Sequence, residues 1–566
     1  VETFTEGDHL TFNINNLDTN TVSAIDTVLL AVSDHAYFWF DTGPGSVDPD
    51  RGELAEMATL FDEIYEMDVQ YFGSEANPGI DGDPRVHIVH ASPLALCDVT
   101  LATADQCGFA GYFSSDNVLP TAVEPSSNAR EMFIMNITQF DTNFYRNVLA
   151  HEFRHMIEDA HDRGDADWEA EGSASLAEEL LGYPRSPQLR GNLFINEPDL
   201  QLNAWSDENR TPHYGMGYVL NRYIFDRLGE KLYREFATSP GYGLDAVTAV
   251  AQANGLDITG ESLWLDWLAA LAIHNEPGAP EMYRFKGVEL DSAAMTAVRL
   301  PFTAGANVHQ FASDYYELPA NTAVTVQFSG DPVVPLLDTA PISGERYWYA
   351  QRANYSNPRL TRTVDLRDVD TATLAYWAYV DIEQGYDFAY VSVSVDDGRT
   401  WQPLVAENMA GLEPEDNPAD SALTDRFYTG ELHAWFQERV DLSAYAGQEI
   451  LLRFEYVTDL ILTYGGFALD NIAIPEIGFF DDAESDGTGW LTEGFVRATA
   501  VLPQPWHLQL ITFEGDVPVV QSVDLGDGWS AEFTVPPSSR APILIVAAAA
   551  PETLQVANYQ LSMNND

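Results

Sequence analysis

Apolar residues recur at helical spacing from about Gly52 to Met67, where Leu54, Met57, Leu60, Phe61, Ile64 and Tyr65 share one face. The fifty residues before them mix short strand-like and helix-like runs and end in a turn-rich piece, DTGPGSVDPD. PRVHIVHA, from Pro84, reads as a strand, and the GSEANPGIDGDP loop ahead of it either turns or holds calcium. From Asn143 to about His274 the spacing is helical again, with Trp168, Trp264 and Trp267 available to fill a core. After about Asp291 the period changes to two, in runs such as TLAYWAYV and YVSVSV with Gly/Asp turns between them. No long helix is evident from there on, and Ile543 to Ala550 reads as a buried strand. PEIGFFDDAESDGTGW, from Pro475, looks like a further boundary.

A chain of 566 residues exceeds one hydrophobic core. The pattern divides it into an N-terminal β-rich segment (1–50), a helical α+β region (51–290), a β-sandwich (291–475) and a small β-rich module (476–566). The expected class is multidomain: an α+β domain followed by β-sandwich modules. No run of eighteen apolar residues appears, so no membrane span is expected.

The chemistry is concentrated in NVLAHEFRHMIEDAHDRG, which holds HExxH at His151 to His155. Residues four apart share a helix face, so the two imidazoles can grip one Zn²⁺ with Glu152 between them as general base. Val148, Leu149, Phe153, Met156 and Ile157 supply the apolar side that buries the helix. HExxH alone is only moderately specific, and a third ligand sharpens it. His161 lies ten residues after His151, but a ligand there requires a glycine turn where this chain has Glu158. On a continuing helix His161 points away. Glu158 itself shares the histidine face, either as a carboxylate orienting an imidazole or as a solvated acid. Glu171, in DWEAEGSASLAEEL, is the favoured third ligand, on a second helix anchored by Trp168 and allowed close by Gly172. Three protein ligands leave a position for water, which Glu152 would deprotonate for attack on a peptide carbonyl. For the developing oxyanion, Tyr214 in HYGMGY is the first choice, with His213 and Tyr218 behind it; an ordinary packing role for Tyr214 is the alternative. Met216 reads as part of a helix start.

Composition changes the picture in two respects. There are 27 basic residues against 88 acidic, a net charge of −61, with only Lys231 and Lys286 as lysines. Such a surface repels nucleic acid and anionic membranes. It suits a saline habitat or the collection of calcium. The only cysteines, Cys97 and Cys107, lie close together in LCDVTLATADQC and read as a short-loop disulfide in an oxidising compartment. The chain begins at Val1 rather than Met, so the expectation is a secreted or cell-surface protein with its leader removed.

The run from Phe72 to Glu178 resembles secreted bacterial metallopeptidases of the hyicolysin type, in the gluzincin group. FGSEANPGIDGDPRVHIVHA, GYFSS, SNAREMFIMN, VLAHEFRHMI and DWEAEG carry the likeness. Near the third ligand that family resembles W-L-N-E-G: Trp168, Glu171 and Gly172 match, whereas Glu169 and Ala170 depart from it. The resemblance implies zinc on Glu171 and a protein or peptide substrate. YVDIEQGYDFAYVSVSVDDGRTW, DLSAYAGQEILLRFEYVTD and GGFALDNIAI are similar to accessory modules of immune-inhibitor-A-like secreted proteins, which are jelly-roll or MAM-like sandwiches often carrying structural calcium. Asp470, Glu383 and Asp387 are the calcium candidates that follow, with Asp396 and Asp397 behind them; a turn or surface acid is the other reading of each. Trp401, Trp435 or Trp490 would serve a surface glycan or polymer if exposed, and a sandwich core if not.

Three functions therefore compete. They are an endopeptidase, a structural or adhesive surface protein with a vestigial peptidase domain, and a peptidase delivered to a polymer by glycan-binding modules. Retention of Glu152 favours the first, since a purely structural zinc site has no use for that base. There is no GxSxG elbow and no P-loop to suggest otherwise.

Overall fold

The computed structural model describes residues 2–19, 21–140, 142–206, 209–411, 424, 426–459 and 462–565. The chain forms two compact units. The first takes in residues 1–194, 211–267 and 284–291; the second takes in 195–210, 268–283 and 292–566.

The first unit is built on a six-stranded sheet of β1 (His9–Asn16), β2 (Thr21–Val32), β3 (Ala36–Asp41), β4 (Val86–Ala91), β5 (Gly111–Phe113) and β6 (Met132–Asn136), in the order β1-β2-β3-β4-β6-β5. β3, β4 and β6 are parallel and wholly buried, as strands covered on both faces must be. β5 runs antiparallel to β6 at the sheet edge. The helix-like runs of the first fifty residues are strands, because β-branched side chains crowd Thr21–Val32 and suit a pleated surface.

One sheet face packs Phe12, Ile14, Trp39, Val89 and Ile134 with both cysteines, which form the expected disulfide. Helices cover the other face. The first, α1 (Arg51–Phe72), starts where Asp50 accepts the N–H groups of Gly52 and Glu53, and it runs five residues beyond Met67. Its Phe61 touches Phe38 and Phe133 of the sheet and Phe153 of the HExxH helix. A single turn, α2 (Pro93–Leu96), precedes the disulfide. Among the described residues seven helices follow: α3 (Asn143–Asp159), α4 (Asp167–Leu180), α5 (Arg185–Asn196), α6 (Arg210–Leu228), α7 (Glu230–Ala237), α8 (Gly243–Ala253) and α9 (Gly260–Ile273). At the crossing of α4 and α6, Gly172 faces Gly217 so closely that a Cβ on Gly172 would lie 2.4 Å from the Gly217 carbonyl. Asn221 locks the contact by donating to the Trp168 carbonyl at 2.8 Å.

The second unit is β-rich, and among its described residues no α-helix follows Ile273. A sandwich core lies between two antiparallel sheets. One includes Thr373–Asp381 and Gly466–Ile474, the other Phe388–Ser394 and Glu449–Val457. Tyr376, Val380, Phe467 and Leu469 from the first meet Val391, Val393, Leu452 and Phe454 from the second. Pairing crosses residue 475: Gly466–Ile474 pairs with Phe479–Asp481, and Arg346–Tyr349 with Val496–Thr499. The last strand, Ala557–Asn565, pairs with Phe302–Val308 and Val324–Gly330. A second β module is thus assembled from segments on either side of the sandwich, and residue 475 falls inside the sandwich, both of whose sheets take strands from beyond it. No helix of the described residues is long and apolar enough to cross a membrane.

Candidate metal centre

α3 carries His151 and His155 one turn apart, their ring centroids 4.9 Å from each other. α4 returns across α3 and brings Glu171 to both. Glu171 Oε2 lies 3.2 Å from His151 Nε2 and 3.6 Å from His155 Nε2. Donors about 2.0–2.2 Å from a tetrahedral zinc stand about 3.4 Å apart, so this two-nitrogen, one-oxygen set fits the ion. One ligand atom from each of the three residues lies within 4.8 Å of the others.

The outer nitrogens are held too. His151 Nδ1 is 3.2 Å from Glu178 Oε1, and His155 Nδ1 is 3.6 Å from Glu158 Oε2. A carboxylate on the far nitrogen orients each imidazole, so both Nε2 atoms face Glu171. Glu158 was an expected residue. Glu178 was not, although it lies seven positions after Glu171, two turns along the same helix face. Arg190 of α5 grips Glu178 at 2.6 Å, and its guanidinium sits 5.5 Å from the ring centroid of Tyr214. Tyr214, on α6, lies beside the site, its ring 6.3 Å from that of His151.

Glu152 lies on α3 between the two histidines, close enough to feel the charges of His151, His155 and Glu171. Its Oε2 accepts the Phe113 N–H of the edge strand at 2.8 Å. Burial pushes the Glu152 carboxyl above its usual range. Burial alone would lower both histidines, but the surrounding carboxylates outweigh it. His151 is held up to about 9 by Glu171 and Glu178, and His155 well above its usual value by Glu171 and Glu158. Desolvation alone would raise the partly buried Glu171; the two imidazoles pull it down. Without metal, then, the site is a salt-bridged cluster that holds protons where a dication would sit.

The other candidates separate. His161 follows the end of α3 and faces Gly73 rather than the site. Met216 is buried inside α6. His213 is buried, and the Tyr218 hydroxyl is engaged with Glu179 at 3.1 Å, away from the histidines. A cavity of about 310 Å³, lined in part by Val118 after the edge strand and by Met156 and Asp159 of α3, adjoins the helix one turn beyond Glu152.

Of the calcium candidates, Asp470 directs its carboxylate to the N–H groups of Ile342, Ser343 and Asn471, so it ties its strand to the 342–343 segment. Asp396 bonds Thr400 and Ser394, and its neighbour Asp397 occupies a left-handed turn position (φ 60°). Glu383 and Asp387 converge with Asp459, which sequence reasoning missed. Burial pushes Asp387 up to about 7. The three tryptophans are half-buried and each ring is engaged. Arg453 covers Trp401, Trp435 packs on Tyr347 and Tyr379, and Trp490 joins the sandwich core.

A family model, Immune inhibitor A-like, MAM domain, matches residues 281–500. Among curated proteins, the pre-pro-metalloprotease PrtV of Vibrio cholerae serotype O1 (strain M66-2) is 29% identical over 160 residues, 28% of this chain and 16% of that protein. Immune inhibitor A of Bacillus thuringiensis subsp. alesti is 30% identical over 161 residues, 28% of this chain and 21% of that protein. This chain thus spans between a sixth and about a fifth of these relatives' own length. It is related to metalloproteases and carries an immune-inhibitor-A-like module in its second half.

Proposed function

We propose that this chain is a secreted, zinc-dependent endopeptidase of the gluzincin group, similar to the hyicolysin type. The observation that carries the reading is the convergence of His151, His155 and Glu171 beside Glu152, at spacings that suit a zinc ion. The three residues hold the ion, and Glu178 and Glu158 orient the imidazoles from behind. When bound, zinc supplies Lewis acidity, lowering the pKa of a water to about 7 and polarising a peptide carbonyl.

The chain's own groups do the rest. Glu152 takes the proton of the attacking water and returns it to the leaving amine, a task suited to a buried carboxyl held above its usual range. Tyr214 donates its hydroxyl to the developing oxyanion. The edge strand β5, which already contacts Glu152, offers main-chain groups to an extended peptide substrate. The disulfide suits an extracellular or cell-surface location. Structural calcium would bind at Glu383, Asp387 and Asp459.

The test is proteolysis of casein-type substrates by the full chain. Activity should vanish with a chelator and return with zinc. Tyr214→Phe should lower kcat by roughly 100-fold or more with zinc retained. One bound zinc with no proteolysis on several proteins, with calcium and salt supplied, would instead favour a structural or adhesive protein that works through its β modules.

A further inference from the structure

A second group of metal-ligating side chains lies on the sandwich, within the second unit. Asp381 ends the strand Thr373–Asp381. The segment across from it is pinned by the Leu432 N–H on the Val380 carbonyl at 2.9 Å and by a bridge between Asp381 and Glu431. His433 follows directly, and its imidazole stands among three carboxylates. Its Nε2 is 3.1 Å from Glu431 Oε2, and its Nδ1 is 3.4 Å from Asp338 Oδ2 and 3.9 Å from Asp381 Oδ1.

Two of these carboxylates are oriented from outside the group by their other oxygens. Asp381 Oδ2 accepts the Gly465 N–H at 3.0 Å, which leaves Oδ1 turned toward His433. Asp338 Oδ1 accepts the Tyr379 hydroxyl at 2.6 Å, which leaves Oδ2 turned toward His433. One oxygen held by the protein and the other offered to a common point is how metal-binding carboxylates are prepared. Among the described residues, no lysine or arginine forms an ion pair with any of the three. The imidazole and Glu431 are about half exposed, so a bound ion would keep a side open to water.

We propose that Asp381, Glu431 and His433 form a second metal site, selective for a zinc-class dication, with Asp338 orienting the imidazole. The ligand atoms of the three lie within 4.8 Å of one another, and the half-exposed Glu431 and His433 side chains have room to turn toward a shared ion. An imidazole with two carboxylates suits zinc, which takes four ligands, rather than calcium, which takes six to eight oxygens. The ion would cross-link the end of a core strand to the 430–433 segment. This site does not rest on the peptidase reading.

The experiment is zinc titration of the chelator-stripped full chain by calorimetry, with metal content after dialysis, in the presence of calcium to occupy all-oxygen sites. Wild type should take two zinc ions. His433→Ala should take one and keep its proteolytic activity, His151→Ala/His155→Ala should take one, and the triple variant none. Asp338→Asn should weaken the second ion roughly 10- to 100-fold. If His433→Ala binds as many ions as wild type, the proposal is overturned. If wild type takes one ion that His433→Ala loses and His151→Ala/His155→Ala keeps, this site stands and the peptidase centre is refuted. A single ion lost only in His151→Ala/His155→Ala refutes this site and leaves that centre intact.

Discussion

Glu178→Gln isolates one hydrogen bond behind the metal centre. In the native chain the Glu178 carboxylate touches His151 Nδ1 at 3.2 Å and Arg190 at 2.6 Å, with its side chain 4% exposed. The amide keeps the shape and one acceptor, but it removes the charge that makes His151 Nδ1 a donor and Nε2 a ligand. Loss of such an outer carboxylate weakens zinc binding about 10- to 100-fold, or about 1.4–2.7 kcal/mol. Glu178→Ala would confound this result, since it strands the Arg190 guanidinium in a mostly buried position. The assay is competition for zinc against a chelator of known affinity, alongside a denaturant melt of the metal-free chain. The control is Glu179→Gln. Its carboxylate engages Tyr218 and Arg222 and no zinc ligand, so it should lose stability with zinc affinity unchanged. If Glu178→Gln holds zinc within twofold of wild type, Glu178 does not orient His151.

The remaining predictions concern protons, packing and calcium. Because His151 is held up to about 9 in the metal-free chain, zinc must displace protons at pH 7. Calorimetry in buffers of different ionisation enthalpy should show at least one proton released per ion, and apparent affinity should rise from pH 7 to 9; buffer-independent heats would contradict this. The same raised pKa stabilises the metal-free fold fully below about 6.5, and that stability is lost as pH rises through about 9, so its Tm should fall across that window. Gly172→Ala forces a Cβ against the Gly217 carbonyl and should cost about 1–3 kcal/mol in a denaturant melt, with reduced zinc content because Glu171 moves with its helix. Calcium at a hundredfold excess over its Kd should stabilise the wild type by about 2.7 kcal/mol, and Asp387→Asn should abolish the response. Equal responses in both chains would place calcium elsewhere.

Local pattern made the site legible. His151, His155 and Glu158 share a helix face by spacing alone, and Glu171 follows from a second amphipathic helix whose Gly172 permits the approach seen at Gly217. Glu178 was legible in principle, as an acid two turns beyond Glu171, but several acids crowd that helix and spacing does not say which one meets a ligand. Arg190 could not be read, because its partners arrive from two other helices, Glu178 from α4 and Tyr214 from α6. In the β half, alternation marks strands but not their partners. Nothing local tells that Phe302–Val308 pairs with Ala557–Asn565 across some 250 residues. The acids show the same limit: Asp470 and Asp387 look alike in sequence, and only tertiary structure gathers Asp387 with Glu383 and Asp459 while it sets Asp470 on the Ile342 and Ser343 N–H groups.

The most direct measurement is zinc content paired with proteolysis for the wild type and Glu152→Gln. The amide can still accept the Phe113 N–H, so the fold and the ion should be retained. The account predicts one zinc at the His151, His155 and Glu171 centre in both chains, with proteolysis lowered at least about 100-fold in the variant. Full activity in Glu152→Gln would contradict its role as the base, and no zinc at that centre in the wild type would contradict the centre itself.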